Sequence, residues 1–244
     1  MSKAEKLTTI AENEQKVFEA GKQAEYDRFW DSYQENGNKT NYLYAFAGKG
    51  WNNETFKPKY DLIDSEYTQR IFLDTGEIDV CARLKECGVT LDISNSTGIV
   101  YLAYGADILT LPVLDCSKKP DLTYFLCQTN KLKSVEKVIL KNDGSQAFGV
   151  DTSFGGLYAL EEIRFEGVIG QNNFAIKDSK LLSKTSIESI INALSTTTSG
   201  LTVTLSKTAV NNAFETSTGS GNGSTSQEWL NLIATKSNWN IELV

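Results

Sequence analysis

Ile108-Leu-Thr-Leu111-Pro-Val-Leu114-Asp-Cys116, Leu132-Lys-Ser-Val135-Glu-Lys-Val138-Ile-Leu140 and Leu157-Tyr-Ala-Leu160-Glu-Glu-Ile163-Arg-Phe165 share one template. Each places apolar residues with gaps of two, two and one. A degenerate earlier copy ends in Leu91-Asp92-Ile93, and the anchors Leu91, Leu114, Val138 and Ile163 lie 23, 24 and 25 residues apart. The closing apolar-x-apolar pair reads as a short strand with both side chains on one face, and the preceding apolar positions turn a corner inward. Aromatic-led pieces, Tyr101-Leu102, Phe125-Leu126 and Phe154, sit between these strands. Stacked units of this kind bury a continuous apolar ring against their neighbours.

The spacing falls in the roughly 20–29 residue window of leucine-rich repeats. The expected fold is therefore α/β: a short leucine-rich-repeat solenoid with a parallel strand ladder, preceded by a long N-terminal helix. Beyond residue 170 the units lengthen. Residues 186–194 carry Ile187, Ile190, Ile191 and Leu194 at helical spacing, and Leu201-Thr-Val-Thr-Leu205 alternates as a strand. Residues 216–226 are a Ser/Thr/Gly-rich loop, and Thr225-x-x-Glu228 reads as a capping box for a helix bearing Trp229, Leu232 and Ile233. Residues 240–244 form a last strand that closes the domain.

Toward the N-terminus, residues 3–35 are rich in Ala, Glu, Lys and Gln and contain no proline, which predicts one helix. Its first half carries a sparse seam, Leu7, Ile10 and Val17, interrupted by Glu14. Its second half carries Tyr26, Phe29, Trp30 and Tyr33 at i, i+3, i+4 and i+7, a stripe that must be covered. The cover is either the chain's own core or a neighbour in an assembly. Gly37-Asn38 ends the helix. An aromatic connector follows (Tyr42, Tyr44, Phe46, Trp51, Phe56, Tyr60), which either packs on the rest or offers stacking platforms for sugars. Three regions result: the helix at 1–36, the connector at 37–68 and the repeat domain with its closing unit at 69–244.

Composition narrows the chemistry. Lys plus Arg is 24 and Asp plus Glu is 31, giving a net charge of −7 with no histidine. An acidic chain lacks the basic face that nucleic-acid binding needs. Without imidazole, neither Ser-His-Asp catalysis nor HExxH zinc sites and the usual zinc fingers can be built. Cys81, Cys87, Cys116 and Cys127 match no redox or zinc spacing and read as reduced, packed thiols. Carboxylates such as Asp61, Asp64 and Glu66, or Glu161, Glu162 and Glu166, fall between apolar anchors as solvent-facing positions. Gly48-Lys49-Gly50 lacks the spacing of a phosphate loop. The first residues show no signal-peptide pattern, no run is long enough to cross a bilayer, and the Asn-x-Ser/Thr sequons at Asn38, Asn53, Asn95 and Asn222 read as chance matches.

The repeats, with their aromatic-led turns, look like the BspA-type leucine-rich repeats of bacterial surface proteins. More specifically, residues 7–22 (LTTIAENEQKVFEAGK), the connector 45–60 (AFAGKGWNNETFKPKY), residues 190–194 (IINAL) and residues 233–239 (IATKSNW) resemble phage and prophage structural proteins of Gram-positive gut bacteria. The chain departs from the BspA pattern in lacking the Ile-Pro dipeptide after the strand. The resemblance implies a non-enzymatic component of the virion, in the tail, baseplate or particle surface, assembled in the host cytoplasm. It implies partners among other virion proteins, a host-surface protein or polysaccharide as target, and several copies per assembly, with no cofactor, nucleic acid or membrane insertion. Leu7, Ile10, Val17, Tyr26, Phe29, Trp30 and Tyr33 would then anchor the chain. Flanking the strand anchors, Val113, Asp115, Lys137, Ile139, Glu162 and Arg164 would form the binding face. The other reading is an adhesin-like interaction module, at the cell surface or in the cytoplasm, unrelated to the virion.

Overall fold

The computed structural model describes residues 3–35, 51–63, 72, 75–95, 102–103, 105–215 and 222–244. Helix α1 (Lys3–Glu35) comes first, followed by β1 (Leu62–Ile63), β2 (Ile78–Asp79), α2 (Val80–Cys87) and β3 (Leu91–Asp92). The centre of the chain forms β4 (Ile108–Asp115), β5 (Ser134–Ile139) and β6 (Glu162–Glu166). The last part contains β7 (Phe174–Ile176), α3 (Lys184–Ala193), β8 (Leu201–Leu205), α4 (Lys207–Ala213), α5 (Gln227–Ala234) and β9 (Trp239–Leu243). Among the described residues every strand pairing is parallel, in three separate sheets ordered β1-β3, β2-β4-β5-β6 and β7-β8-β9.

This arrangement corrects the expected leucine-rich-repeat solenoid. The chain is α/β with several parallel sheets, not one ladder. Leu91, expected beside Leu114, pairs with Leu62 in a sheet of its own. Leu114 does pair with Val138, but Val138 lies beside Phe165 rather than Ile163, because the register slips between Val135 and Val138. The central sheet stops at β6 because α3 occupies its edge. Ser186 and Ser189 of α3 offer their hydroxyls to the N–H groups of Ile163 and Phe165, at 2.9 and 2.8 Å. These bonds satisfy donors that would otherwise recruit another strand. A new sheet begins beyond them.

Although the ladder is broken, the template's anchors do face inward: Ile108, Leu111, Leu114, Leu132, Val135, Val138, Leu157, Leu160 and Ile163 are all buried. One hydrophobic cluster runs from Tyr26 to Trp239. It includes Tyr26 and Trp30 of α1, so of the two covers expected for this stripe the chain's own core is the one these residues find. Tyr26 stacks on Trp51 at 4.4 Å between ring centroids, and Trp30 packs on Trp51 and Phe56 at 5.7 and 6.3 Å. Trp51 and Phe56 of the connector are fully buried, which closes those two rings to any sugar. The connector residues Tyr42, Tyr44 and Phe46, and the Gly37-Asn38 helix stop, lie outside the described residues.

Serine caps set the later helices. Ser183, Ser206 and Ser226 accept hydrogen bonds from the N–H groups of Ser186, Ala209 and Trp229. The cap of α5 is thus Ser226, whereas the capping-box reading placed it at Thr225. Thr225 belongs instead to a short 3-10 turn, Gly223–Thr225.

The two closing segments meet. Lys236 is buried and its ammonium donates to the carbonyls of Asn192 (3.0 Å) and Leu194, at the C-terminal end of α3. Trp239 Nε1 donates to the Ser195 carbonyl at 2.9 Å, and the Asn238 amide donates to the carbonyls of Ser195 (2.8 Å) and Thr198. A cation on helix-terminal carbonyls complements the helix dipole. Burial nevertheless pushes the Lys236 pKa below the ordinary lysine value. The unfolded chain then holds this proton more tightly, so stability rises with pH between the folded value and the ordinary one. Lys236→Met should lose about 1–3 kcal/mol at pH 7 by stranding two carbonyls. Urea denaturation at neutral and alkaline pH should show the wild type's alkaline gain missing from the variant.

Candidate binding face

The outward row of β4, β5 and β6 contains the residues expected to form a binding face. Register sets Val113 beside Lys137, Asp115 beside Ile139, and Ser134 beside Glu162. The four on β4 and β5 are half-buried, while Glu162 and Arg164 on β6 are exposed. Lys137 reaches Glu166 across the sheet at 2.8 Å. An exposed pair of this kind contributes only about 0–1 kcal/mol, but it keeps the face charged and ordered.

Asp115 also shapes the backbone. Its carboxylate accepts the Ser117 N–H at 2.9 Å and so closes the turn that leaves β4. The same Asp-x-Ser/Thr turn recurs at Asp92–Ser94, Asp121–Thr123 and Asp143–Ser145. Hydrogen bonds from Ser94 hold the Asp92 carboxyl below the usual carboxylate range, and those from Ser145 do the same for Asp143. These aspartates turn the chain, Asp92 and Asp115 at the ends of β3 and β4, Asp121 and Asp143 within loops. The spacing was visible in the sequence, as an acid two residues before a hydroxyl.

Beside Val113 lies a groove the sequence did not announce. It encloses about 440 Å³ between α2 and β4, with Leu84, Val89, Leu91, Pro112 and Val113 as apolar walls and Lys85 and Glu136 among its lining residues. Helix α2 forms one wall because Asp79 ties it to the sheet. The Asp79 carboxylate accepts from Ala82 N (2.9 Å) and from Thr110 Oγ1 (2.6 Å), and that hydroxyl accepts from Cys81 N at 3.0 Å. Gly88 then ends the helix in the left-handed conformation at φ 69°. Asp79→Ala should cost about 1–2 kcal/mol and loosen this wall, with Asp79→Asn retaining most of the stability, as read by thermal melting.

The remaining candidates follow the same pattern of structural use. Burial raises the thiol pKa of Cys81, Cys87 and Cys127, which keeps them protonated and weakly nucleophilic at neutral pH. Glu162 and Glu166 are exposed on β6 and Glu161 is exposed just before it, and Asp64 and Glu66 lie outside the described residues. Among the described residues no group of three or more Cys, Asp or Glu is placed to hold a metal ion. No described helix is long and apolar enough to cross a membrane.

Of the anchoring residues, Tyr26 and Trp30 are buried in the chain's own core, which closes them to a neighbour, while Phe29 packs partly against that core. Val17 is 73% exposed. The side chains of Leu7, Ile10 and Tyr33 lie outside the described residues. Compared with models of known protein families, with curated proteins and with solved structures, the chain matches none.

Proposed function

We propose that this chain is a non-enzymatic structural component of a phage particle, carried on its tail or surface. The first half of α1 attaches it, and the β4–β6 face with its groove is presented to a host surface or a neighbouring protein. The observation that carries this reading is the contrast between the two halves of α1. Tyr26 and Trp30 are buried, whereas residues 12–17 are exposed on every side of the helix. Helices in water draw most of their stability from packing an apolar face, so a stretch whose described side chains are all exposed is suited to a partner. The phage setting is supported by the four sequence segments that resemble phage structural proteins.

The test is mass spectrometry of gradient-purified particles, with the full chain and with a chain lacking residues 1–17. Removing all of residues 1–36 would strip Tyr26 and Trp30 from the core and confuse detachment with unfolding. The full chain should be present in particles, and the shortened one should be folded but absent. Particles without the full chain would overturn the virion role in favour of an adhesin-like interaction module. Unchanged incorporation of the shortened chain would overturn attachment through α1.

A further inference from the structure

We infer that the loops leading into β5 and β6 form a pocket for a neutral, hydroxyl-rich sugar. This names a ligand class for the display reading and rests on that reading only for its biological setting. Gln128, Asn130, Asp151, Tyr158 and Asp178 line a cavity of about 370 Å³, apart from the β4–β6 face. That volume lies within the roughly 300–1,000 Å³ of small-molecule sites.

The chemistry of the lining suits a pyranose. Tyr158 is 59% exposed, and its ring is an apolar surface on which the C–H face of a sugar can stack. The side-chain amides of Gln128 and Asn130 make no hydrogen bond to the described protein. Each carboxylate is held by one oxygen only. Asp178 accepts the Gly156 N–H at 2.8 Å through Oδ2, and Asp151 is paired with Lys177 at 2.6 Å through Oδ1. Two amides and two carboxylate oxygens thus remain for hydroxyl groups, which both donate and accept. Lys177 offsets Asp151, while Asp178 leaves a negative charge that repels acidic sugars.

The backbone is built around this concavity. Gln128 takes the left-handed conformation at φ 60°, uncommon for a residue with a side chain, and its N–H donates to the Gly155 carbonyl at 2.8 Å. Gly156 is also left-handed, and a Cβ there would stand 3.2 Å from Gln128 Cα. A Cβ at Gly155 would overlap the Asp151 carbonyl. The glycines take this shape without strain, while the left-handed Gln128 is a conformation that persists where its surroundings over-determine it.

Saturation-transfer NMR and titration calorimetry of the full chain test the pocket. The probes are glucose, galactose, rhamnose and N-acetylglucosamine, with glucuronic acid as the acidic control. At least one neutral sugar should bind, and glucuronic acid should not. Tyr158→Ala and Asn130→Ala should each weaken binding about tenfold or more, while Tyr158→Phe keeps it. Both sites are exposed, so the melting temperature should not change. The absence of binding by all four neutral sugars, equal binding of glucuronic acid, or unchanged affinity in both alanine variants would overturn the proposal. Sugar binding by a chain absent from particles would retain the pocket and refute the virion role; incorporation without sugar binding would do the reverse.

Discussion

Replacing Phe154 with alanine should destabilise the protein by about 3–5 kcal/mol, the range for truncating a buried aromatic ring. Phe154 is fully buried at the centre of a phenylalanine cluster. Its ring centroid lies 5.7 Å from Phe165 on β6 and 5.3 Å from Phe174 on β7, with Phe125 and Phe148 at 6.4 and 6.3 Å. It therefore joins the central sheet to the C-terminal one across the place where the ladder breaks. Removing the ring leaves a cavity among rigid neighbours and deletes four ring pairs, each worth about 0.5–1.5 kcal/mol beyond burial. Urea denaturation should show a lower midpoint with an unchanged slope. A loss below about 1 kcal/mol would mean that the two sheets are not coupled through this residue.

The second large effect belongs to α1. Trp30→Ala should also cost about 3–5 kcal/mol and should expose α1 to proteolysis while the central sheet stays protected. Trp30 is buried against Trp51 and Phe56 and is the most deeply buried α1 ring of a contact that also includes Tyr26 and Phe29 on Trp51 and the Asp27–Lys59 ion pair at 2.7 Å. Both partners of that pair are substantially exposed and screened by solvent, so the aromatic packing rather than the ion pair holds the helix. Val17→Asp is the matching control. In the isolated chain this exposed residue should change stability by less than about 0.5 kcal/mol, yet the same substitution should impair incorporation into particles. Equal proteolysis of wild type and Trp30→Ala would show that the aromatic docking does not hold α1.

The two halves of α1 show how far local pattern can be read. Spacing alone marked Tyr26, Phe29 and Trp30 as a stripe that had to be covered, and left open what covered it. The answer, Trp51 and Phe56, comes from a connector with no periodicity of its own. Trp51 joins the stripe through packing, not through a motif. The binding face is a similar case. Register does bring Val113 to Lys137 and Asp115 to Ile139, because two neighbouring units keep the same spacing. Asp115 also closes a turn through one carboxylate oxygen, and the groove beside Val113 depends on α2, a short helix that the repeat template did not contain. The sugar pocket combines residues from 127 to 178 whose only common property is where the chain returns.

The sequence by itself determined which side chains face inward. The apolar template at 108–165 is nearly all buried, and the absence of histidine bars imidazole chemistry whatever the fold. Inward or outward orientation follows from alternation along a few residues, so it is encoded locally. Only the tertiary structure decided which strand lies beside which, where the ladder stops and which concavities remain. Hydrogen-bond partners at a strand edge are chosen by competition among distant segments. At β6 the hydroxyls of Ser186 and Ser189 occupy that edge, and the chain folds into separate sheets where a uniform repeat would have continued.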